Sequence, residues 1–313
     1  MVRLIIRRIL ISIPLVVVVT LLTFLLQSLA PGDTARAILG ESYTPEAHAQ
    51  LSHELGLDRP MLVQYWDWLT HAFRGDLGVS PISGIDVAPE IANRLSVTLS
   101  LTVGTAILAV VIGVGLGVLS AVRRGRLGRA VDVISLVGFA LPNFWLALVL
   151  VTVFAVAIPV LPATGYMPLA DSPGGWLVSL VLPVATLATS AVAVMAKQTR
   201  DAMLDVLSRG FVHSLRANGV SETSIIFRHG LRNAAIPVVT VLGLLFVNLA
   251  SGSVLVEAVF AMPGLGGLAV QASTQHDLPT VQGVALVFTL IVVVVNLVVD
   301  LAYGWLNPKV RVR

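Results

Sequence analysis

Residues 98–129 read TLSLTVGTAILAVVIGVGLGVLSAVRRGRLGR. The run from Thr98 to Val122 holds no charge, then gives way to Arg123, Arg124, Arg126 and Arg129. A helix needs about 20 apolar residues to cross the hydrocarbon of a bilayer, and this run exceeds that. Its arginine-rich exit marks a cytoplasmic side, because cytoplasmic loops carry the excess of basic residues. Repeating that test along the chain decides fold class and orientation.

Five more runs pass it: Ile9–Leu29, Val131–Ile158 with Pro142 inside, Trp176–Ala196, Pro237–Val259 with Asn248 and Ser251 inside, and Gly283–Trp305. Spanning segments must satisfy their own backbone groups, so these read as helices; the alternation of a membrane β-barrel is absent. The first run could be a signal peptide, with Ser28 and Ala30 near its end. It is longer than the usual apolar region of about 7–15 residues, however, and Pro31 follows the would-be cut. The links fall into two kinds. Those holding Arg3, Arg7 and Arg8; Arg123 to Arg129; Lys197 to Arg232; and Lys309, Arg311 and Arg313 carry 16 of the 20 basic residues. Links 159–175 and 260–282 carry none, while 31–97 mixes four arginines with nine acidic residues. The expected fold is therefore an all-α polytopic membrane protein with six transmembrane helices and both termini cytoplasmic.

Composition agrees. Of 313 residues, 56% are hydrophobic and 12% charged, with no cysteine. That is about half the usual charge, too little to coat a soluble globule, and disorder is excluded more firmly. Disulfides and thiol chemistry are impossible. Lysine occurs only at Lys197 and Lys309, which argues against a nucleic-acid binder. It also excludes a P-loop, since neither lysine follows glycine and precedes Ser or Thr. Gly113, Gly115 and Gly117 imitate part of a dinucleotide motif but lie within a span, where close helix packing explains them better. Gly264, Gly266 and Gly267 read as a turn. The six histidines offer no zinc spacing, and no catalytic triad can be singled out. Few polar groups enter the spans; Glu257 and Asp300 are expected near an interface, and Asn248 and Asn296 at mid-span.

Segment 31–97 is expected outside and structured. Thr44-Pro45-Glu46 starts one helix, Gly56 stops it, and a second runs from Pro60 to Phe73. Leu62, Tyr65, Trp66, Leu69 and Phe73 recur on one face, suiting a helix on the bilayer or bundle, or part of a docking platform. The link between the fourth and fifth spans predicts a short helix ending at Gly219 and another beginning near Ser221. Phe211 and Leu215 share a face with Val212 beside them. A lever and a mere amphipathic connector both fit. Asn248, Ser251 and Ser253, near one side of the fifth span, fit either a translocation path or interhelical hydrogen bonds.

That link carries a family resemblance. Arg209-Gly210-Phe211-Val212-His213-Ser214-Leu215-Arg216-Ala217-Asn218-Gly219 leads to His229-Gly230-Leu231-Arg232-Asn233. The chain resembles the type I permease subunits of binding-protein-dependent ABC importers, and within them the dipeptide/oligopeptide/nickel group. Gly219 and Leu231 match the importer motif. His213, Ser214 and Leu215 replace its Glu-Ala-Ala, and His229 and Arg232 replace its isoleucine and proline as in the peptide group. Leu55–Pro60, Arg74–Gly78, Leu141–Trp145, Leu161–Tyr166, Glu257 with Phe260 and Pro263–Gly266, and Asn307–Arg311 agree in one order over nearly the whole chain.

The resemblance implies a permease that moves di- or oligopeptides or related small solutes across a bacterial plasma membrane; the alternative is a stand-alone secondary transporter or channel. It implies a second homologous permease, two cytoplasmic ATPase subunits and an extracytoplasmic binding protein. ATP and Mg would sit on the ATPases, with no cofactor on this chain and no nucleic acid. The ATPase-coupling residues would be Phe211, Val212, His213, Leu215, Arg216, Ala217 and Gly219. The domain division is 1–30 (tail and first helix), 31–97 (external helical segment), 98–305 (core, with coupling region 199–236) and 306–313 (tail).

Overall fold

A computed structural model describes residues 2–306 apart from Pro31, Asp33 and Arg124. The basic tail with Lys309, Arg311 and Arg313 lies outside the described residues. The rest is helical, with one isolated antiparallel bridge, Val79 to Asp86. In chain order the α-helices are α1 Val2–Leu29, α2 Thr34–Leu39, α3 Pro45–Glu54, α4 Met61–Ala72, α5 Val87–Leu108, α6 Gly115–Val122, α7 Arg126–Ala140 and α8 Asn143–Val151. They continue with α9 Pro173–Leu207, α10 Gly210–Ala217, α11 Glu222–Ser224, α12 Leu231–Val259, α13 Leu265–Thr274 and α14 Leu278–Leu306.

Three of the apolar runs outgrow the hydrocarbon. Helix Val87–Val122 has 36 residues, α9 has 35, and Glu222–Val259 has 38, against the roughly 20 needed to span. The second begins earlier than its charge-free run because Glu90 and Arg94, one turn apart, pair at 2.9 Å and are both mostly covered. Pro89 is tolerated in the first turn, where an amide would have no helical partner. The third run is not one straight helix. Pro142 lacks an N–H and fixes φ, so α7 stops at Ala140 and the segment resumes at Asn143, bent by 93°. Five continuous spans and this broken one account for the six apolar runs.

The chain folds as two units, Val2–Thr98 with Pro263–Val293, and Leu99–Met262 with the segment from Val294 onward. In the first, α4 is pinned to α1. The Tyr65 hydroxyl donates to the Val17 carbonyl at 3.1 Å and lies 3.0 Å from Thr20 Oγ1, and its ring meets Phe24 edge-on at 5.8 Å. The expected apolar face of α4 is thereby divided. Tyr65 and Leu69 are buried, while Leu62, Trp66 and Phe73 are exposed, as a helix at the membrane–water boundary needs. Thr44 Oγ1 accepts from the Ala47 amide at 3.1 Å, capping α3. Gly56, at φ +66°, ends that turn. Asp277 caps α14 and is buried; its carboxylate accepts from Ser80 Oγ at 2.6 Å and Thr280 Oγ1 at 2.8 Å.

In the second unit α9 is the central helix. Gly113 and Gly117 let it approach closely: a Cβ on Gly113 would sit 2.7 Å from Met195 Cβ, and one on Gly117 2.5 Å from Thr199 Cβ. That is the close packing expected at those two positions; Gly115 faces open space.

Candidate translocation path and coupling helix

The link between the fourth and fifth spans is almost wholly helical. α9 runs on to Leu207, α10 follows after two residues, and the next helix starts at Glu222. Val212 is fully buried in a cluster with Val118, Ala121, Met203, Val206, Leu207, Ile225 and Ala234; Leu215 and Val220 pack against it. α10 is thus seated on the ends of three long helices. Phe211, His213, Arg216, Ala217 and Gly219 are exposed. Phe211, four residues before Leu215, stands 39% exposed beside the anchor. Val212, predicted among the coupling residues, is buried in that cluster.

The stop at Gly219 has a specific cause. The Val220 amide donates to the Leu215 carbonyl at 3.1 Å and the Gly219 amide to Arg216 at 3.0 Å. This pair of bonds closes a helix through a residue in the left-handed region, and Gly219 has φ +73°. A Cβ there would touch nothing within 4 Å, so backbone conformation, not space, demands glycine. Arg216 then reaches across the turn to Glu222 at 2.6 Å. That hydrogen bond raises the guanidinium further above its already basic range.

The predicted path residues separate. Asn248 on α12 is exposed and lines a cavity of about 380 Å³ with Asn143 and Ser190. Ser190 Oγ on α9 donates to Asn143 Oδ1 at 3.4 Å. Asn143 owes its place to the bend, being the first residue of α8. Ser251 is exposed and outside that lining, with its hydroxyl turned back to the Val247 carbonyl at 3.4 Å. Ser253 is fully buried and donates to Glu257 Oε1 at 3.0 Å. It packs inside the unit. Glu257 is itself 1% exposed. Sequence reasoning missed Asn143 and Ser190. The Leu-Pro-Asn stretch held the signal for the first, since proline must break the span there.

A second cleft on the same unit, about 470 Å³, is lined wholly by apolar groups, among them Val103, Val110, Leu242, Phe246, Val298 and Val299. The polar cleft offers hydrogen-bond donors and acceptors without charge. The apolar one offers none.

Residues 113–312 match the family described as binding-protein-dependent transport system inner membrane component, and residues 1–102 match its N-terminal counterpart. A Brucella abortus (strain 2308) protein named as a peptide transport system permease is 41% identical over 312 residues, 99% of each chain. The glutathione transport system permease protein GsiC of Salmonella typhimurium is 41% identical over 314 residues, the whole of each. In fold the chain is similar to the MetNI methionine ABC transporter in an inward-facing form. That likeness has a TM-score of 0.55 at 20% identity and covers 69% of this chain and 96% of the other. Full-length identity to bacterial permeases and six apolar segments make this a multi-pass inner-membrane protein. The chain belongs to the binding-protein-dependent transport system inner membrane components, the permease subunits of ABC importers.

Proposed function

We propose that this chain is one of two homologous permeases in an importer of short peptides, driven by two cytoplasmic ATPase subunits and supplied by an extracytoplasmic binding protein. The names of its relatives, a peptide permease and a glutathione permease, support a cargo built on amide bonds. ATP and Mg are held by the ATPases, and this chain binds no cofactor. The arginine distribution supports placing both termini and α10 in the cytoplasm. Phe211, His213, Arg216, Ala217 and Gly219 form the surface that enters an ATPase groove, while Val212 and Leu215 tie that surface to the spans.

The observation that carries the reading is the seating of α10. A short helix whose inner face is locked into the ends of long helices transmits displacement instead of absorbing it. Closure of the ATPases on ATP moves α10, and the spans exchange inward-open for outward-open states. Such a shift requires the ATPases to bind the two states with different affinity. The polar cleft around Asn143, Ser190 and Asn248 is this chain's wall of the path. Its volume falls within the roughly 300–1,000 Å³ of small-molecule sites.

The test is reconstitution in liposomes. With both permeases, ATPases and binding protein present, ATP should drive uptake of glutathione or alanine peptides. Replacing Gly219 with Val should lower uptake at least tenfold while the complex still copurifies. Uphill uptake by this chain alone would contradict the proposal.

A further inference from the structure

The seat of α4 on α1 sets its depth as well as its hold. The Tyr65 hydroxyl meets Val17 and Thr20, and at the other end of the contact Ser28 Oγ is 3.0 Å from Met61 Sδ. Val17 stands at the middle of the apolar span Ile5–Leu29, and Ser28 at its end away from Arg7 and Arg8. α4 therefore lies along one half of a membrane span, within the depth of one leaflet. Over the same stretch α1 exposes Val18, Leu22, Leu26 and Leu29, so lipid covers α1 beside the helix it carries.

Around α4 the side chains sort into three successive arcs. Tyr65 and Leu69 are buried against Phe24, with Trp68 packed beside them. Next come Leu62, Val63 and Trp66, with Phe73 at the helix end, and all four are exposed. The third arc is polar: Gln64 donates to the Leu57 and Arg59 carbonyls, Asp67 Oδ2 is 3.3 Å from Arg59 Nη1, and His71 follows one turn on. Leu62, Val63 and Trp66 share a shallow hollow of about 530 Å³ with Arg59, Asp67 and Thr70. A helix with apolar and charged arcs side by side lies in the plane of a membrane interface, tryptophan is at home at that level, and arginine can lay its stem on apolar surface while its head stays with the phosphates. A protein partner covering the exposed arc would have to enter the bilayer beside α1, where phospholipid already is.

We infer that α4 is a phospholipid-binding anchor embedded in one leaflet. Leu62, Val63, Trp66 and Phe73 lie among acyl chains, and Arg59 and Asp67 meet the headgroups with one charge of each sign. The anchor holds segment 31–97 against the membrane at a fixed depth. The inference goes beyond the proposed function and takes from it only that the leaflet is the outer one.

The experiment places single spin-labelled cysteines in this cysteine-free chain, within a transporter whose other subunits also lack cysteine. The complex is reconstituted in vesicles of phosphatidylethanolamine and phosphatidylglycerol, without binding protein. Collision rates with oxygen, which concentrates in hydrocarbon, and with a water-soluble nickel chelate are read by electron paramagnetic resonance. Leu62→Cys and Trp66→Cys should favour oxygen over the chelate by about fivefold or more relative to Asp67→Cys and His71→Cys, as an interfacial helix requires. Equal ratios at the four positions overturn the anchor. So does a pair 62 and 66 that meets the chelate freely until binding protein and a non-hydrolysable ATP analogue are added, which would make the arc a protein-docking surface. A second measurement needs no label. Phospholipids brominated on their acyl chains should quench a part of the parent's tryptophan emission that Trp66→Phe lacks, and an unchanged quenched emission in that variant overturns the anchor. Neither readout depends on the cargo or on which leaflet is the outer one.

Discussion

The two clefts on the Leu99–Met262 unit are similar in size, about 380 and about 470 Å³, and differ in one respect. The first sets Asn143, Ser190 and Asn248 among leucines and valines; the second has apolar lining alone. Volume therefore does not identify the path in a membrane chain. Acyl chains fill an apolar groove at no cost, but a carboxamide facing lipid gives up hydrogen bonds that hydrocarbon cannot replace. The polar cleft asks for water, protein or an amide cargo, and the apolar one suits lipid or another helix.

A charge distinguishes the two most sharply. Val294→Asp places a carboxylate in the apolar cleft at the middle of its span, where insertion costs about 2.5–3.5 kcal/mol. Membrane-integrated chain should fall more than about tenfold. Asn248→Asp in the polar cleft should insert at near-parental levels. Equal loss in both would erase the distinction.

Packing comes next. A Cβ on Gly243, in the apolar cleft, would lie 2.7 Å from Val299 Cγ2, whereas one on Gly252, in the polar cleft, meets nothing within 4 Å. Overpacking costs about 1–3 kcal/mol, while alanine for glycine in an open helix position gains roughly 0.5–1 kcal/mol. Thermal unfolding in detergent should show Gly243→Ala lowered and Gly252→Ala unchanged or raised. The reverse order would mean the apolar cleft yields more readily than its geometry implies.

A smaller effect is expected on transport. Asn248→Leu should reduce peptide uptake by about threefold to tenfold at constant protein level, and Val298→Leu should leave it alone. If both variants transport normally, hydrogen bonding in the polar cleft is irrelevant to cargo.

The smallest effect lies away from both clefts. On segment 31–97, His53 Nδ1 is 2.8 Å from Asp58 Oδ2. That hydrogen bond raises the imidazole above 6.5 and lowers the carboxyl below 3.8. The histidine's contribution is complete below 6.5 and fades as pH rises through its raised value. The aspartate's is complete above 3.8 and fades as pH falls through its lowered value. Protection factors of the Gly56 and Leu57 amides, which divide out the base-catalysed rise of intrinsic exchange, should accordingly be highest between those limits and lower at pH 8. His53→Gln should abolish that dependence and spare uptake. A pH dependence that survives the substitution would assign it to other groups.

The spans were legible in the sequence because charge-free length is decisive in a bilayer. The stop at Gly219 and the cap at Thr44 were legible because each rests on local backbone chemistry. What escaped depended on tertiary neighbours. Glu90 and Arg94 conceal each other's charge, so α5 starts before the apolar run does. Pro142 announced a break but not an angle of 93°. Val212 and Phe211 are adjacent apolar residues, and only the cluster beneath α10 decides that the first is anchored and the second exposed. Ser253 and Asn248 are both polar residues of one span, separated by whether a partner such as Glu257 awaits them inside.

The most direct measurement is the sidedness of Asn248→Cys in the assembled transporter. A membrane-impermeant thiol reagent should reach it from the cytoplasmic side without nucleotide and from the opposite side once a non-hydrolysable ATP analogue is bound. Labelling that ignores nucleotide, or that occurs from neither side, would contradict a polar cleft moved by ATPase partners.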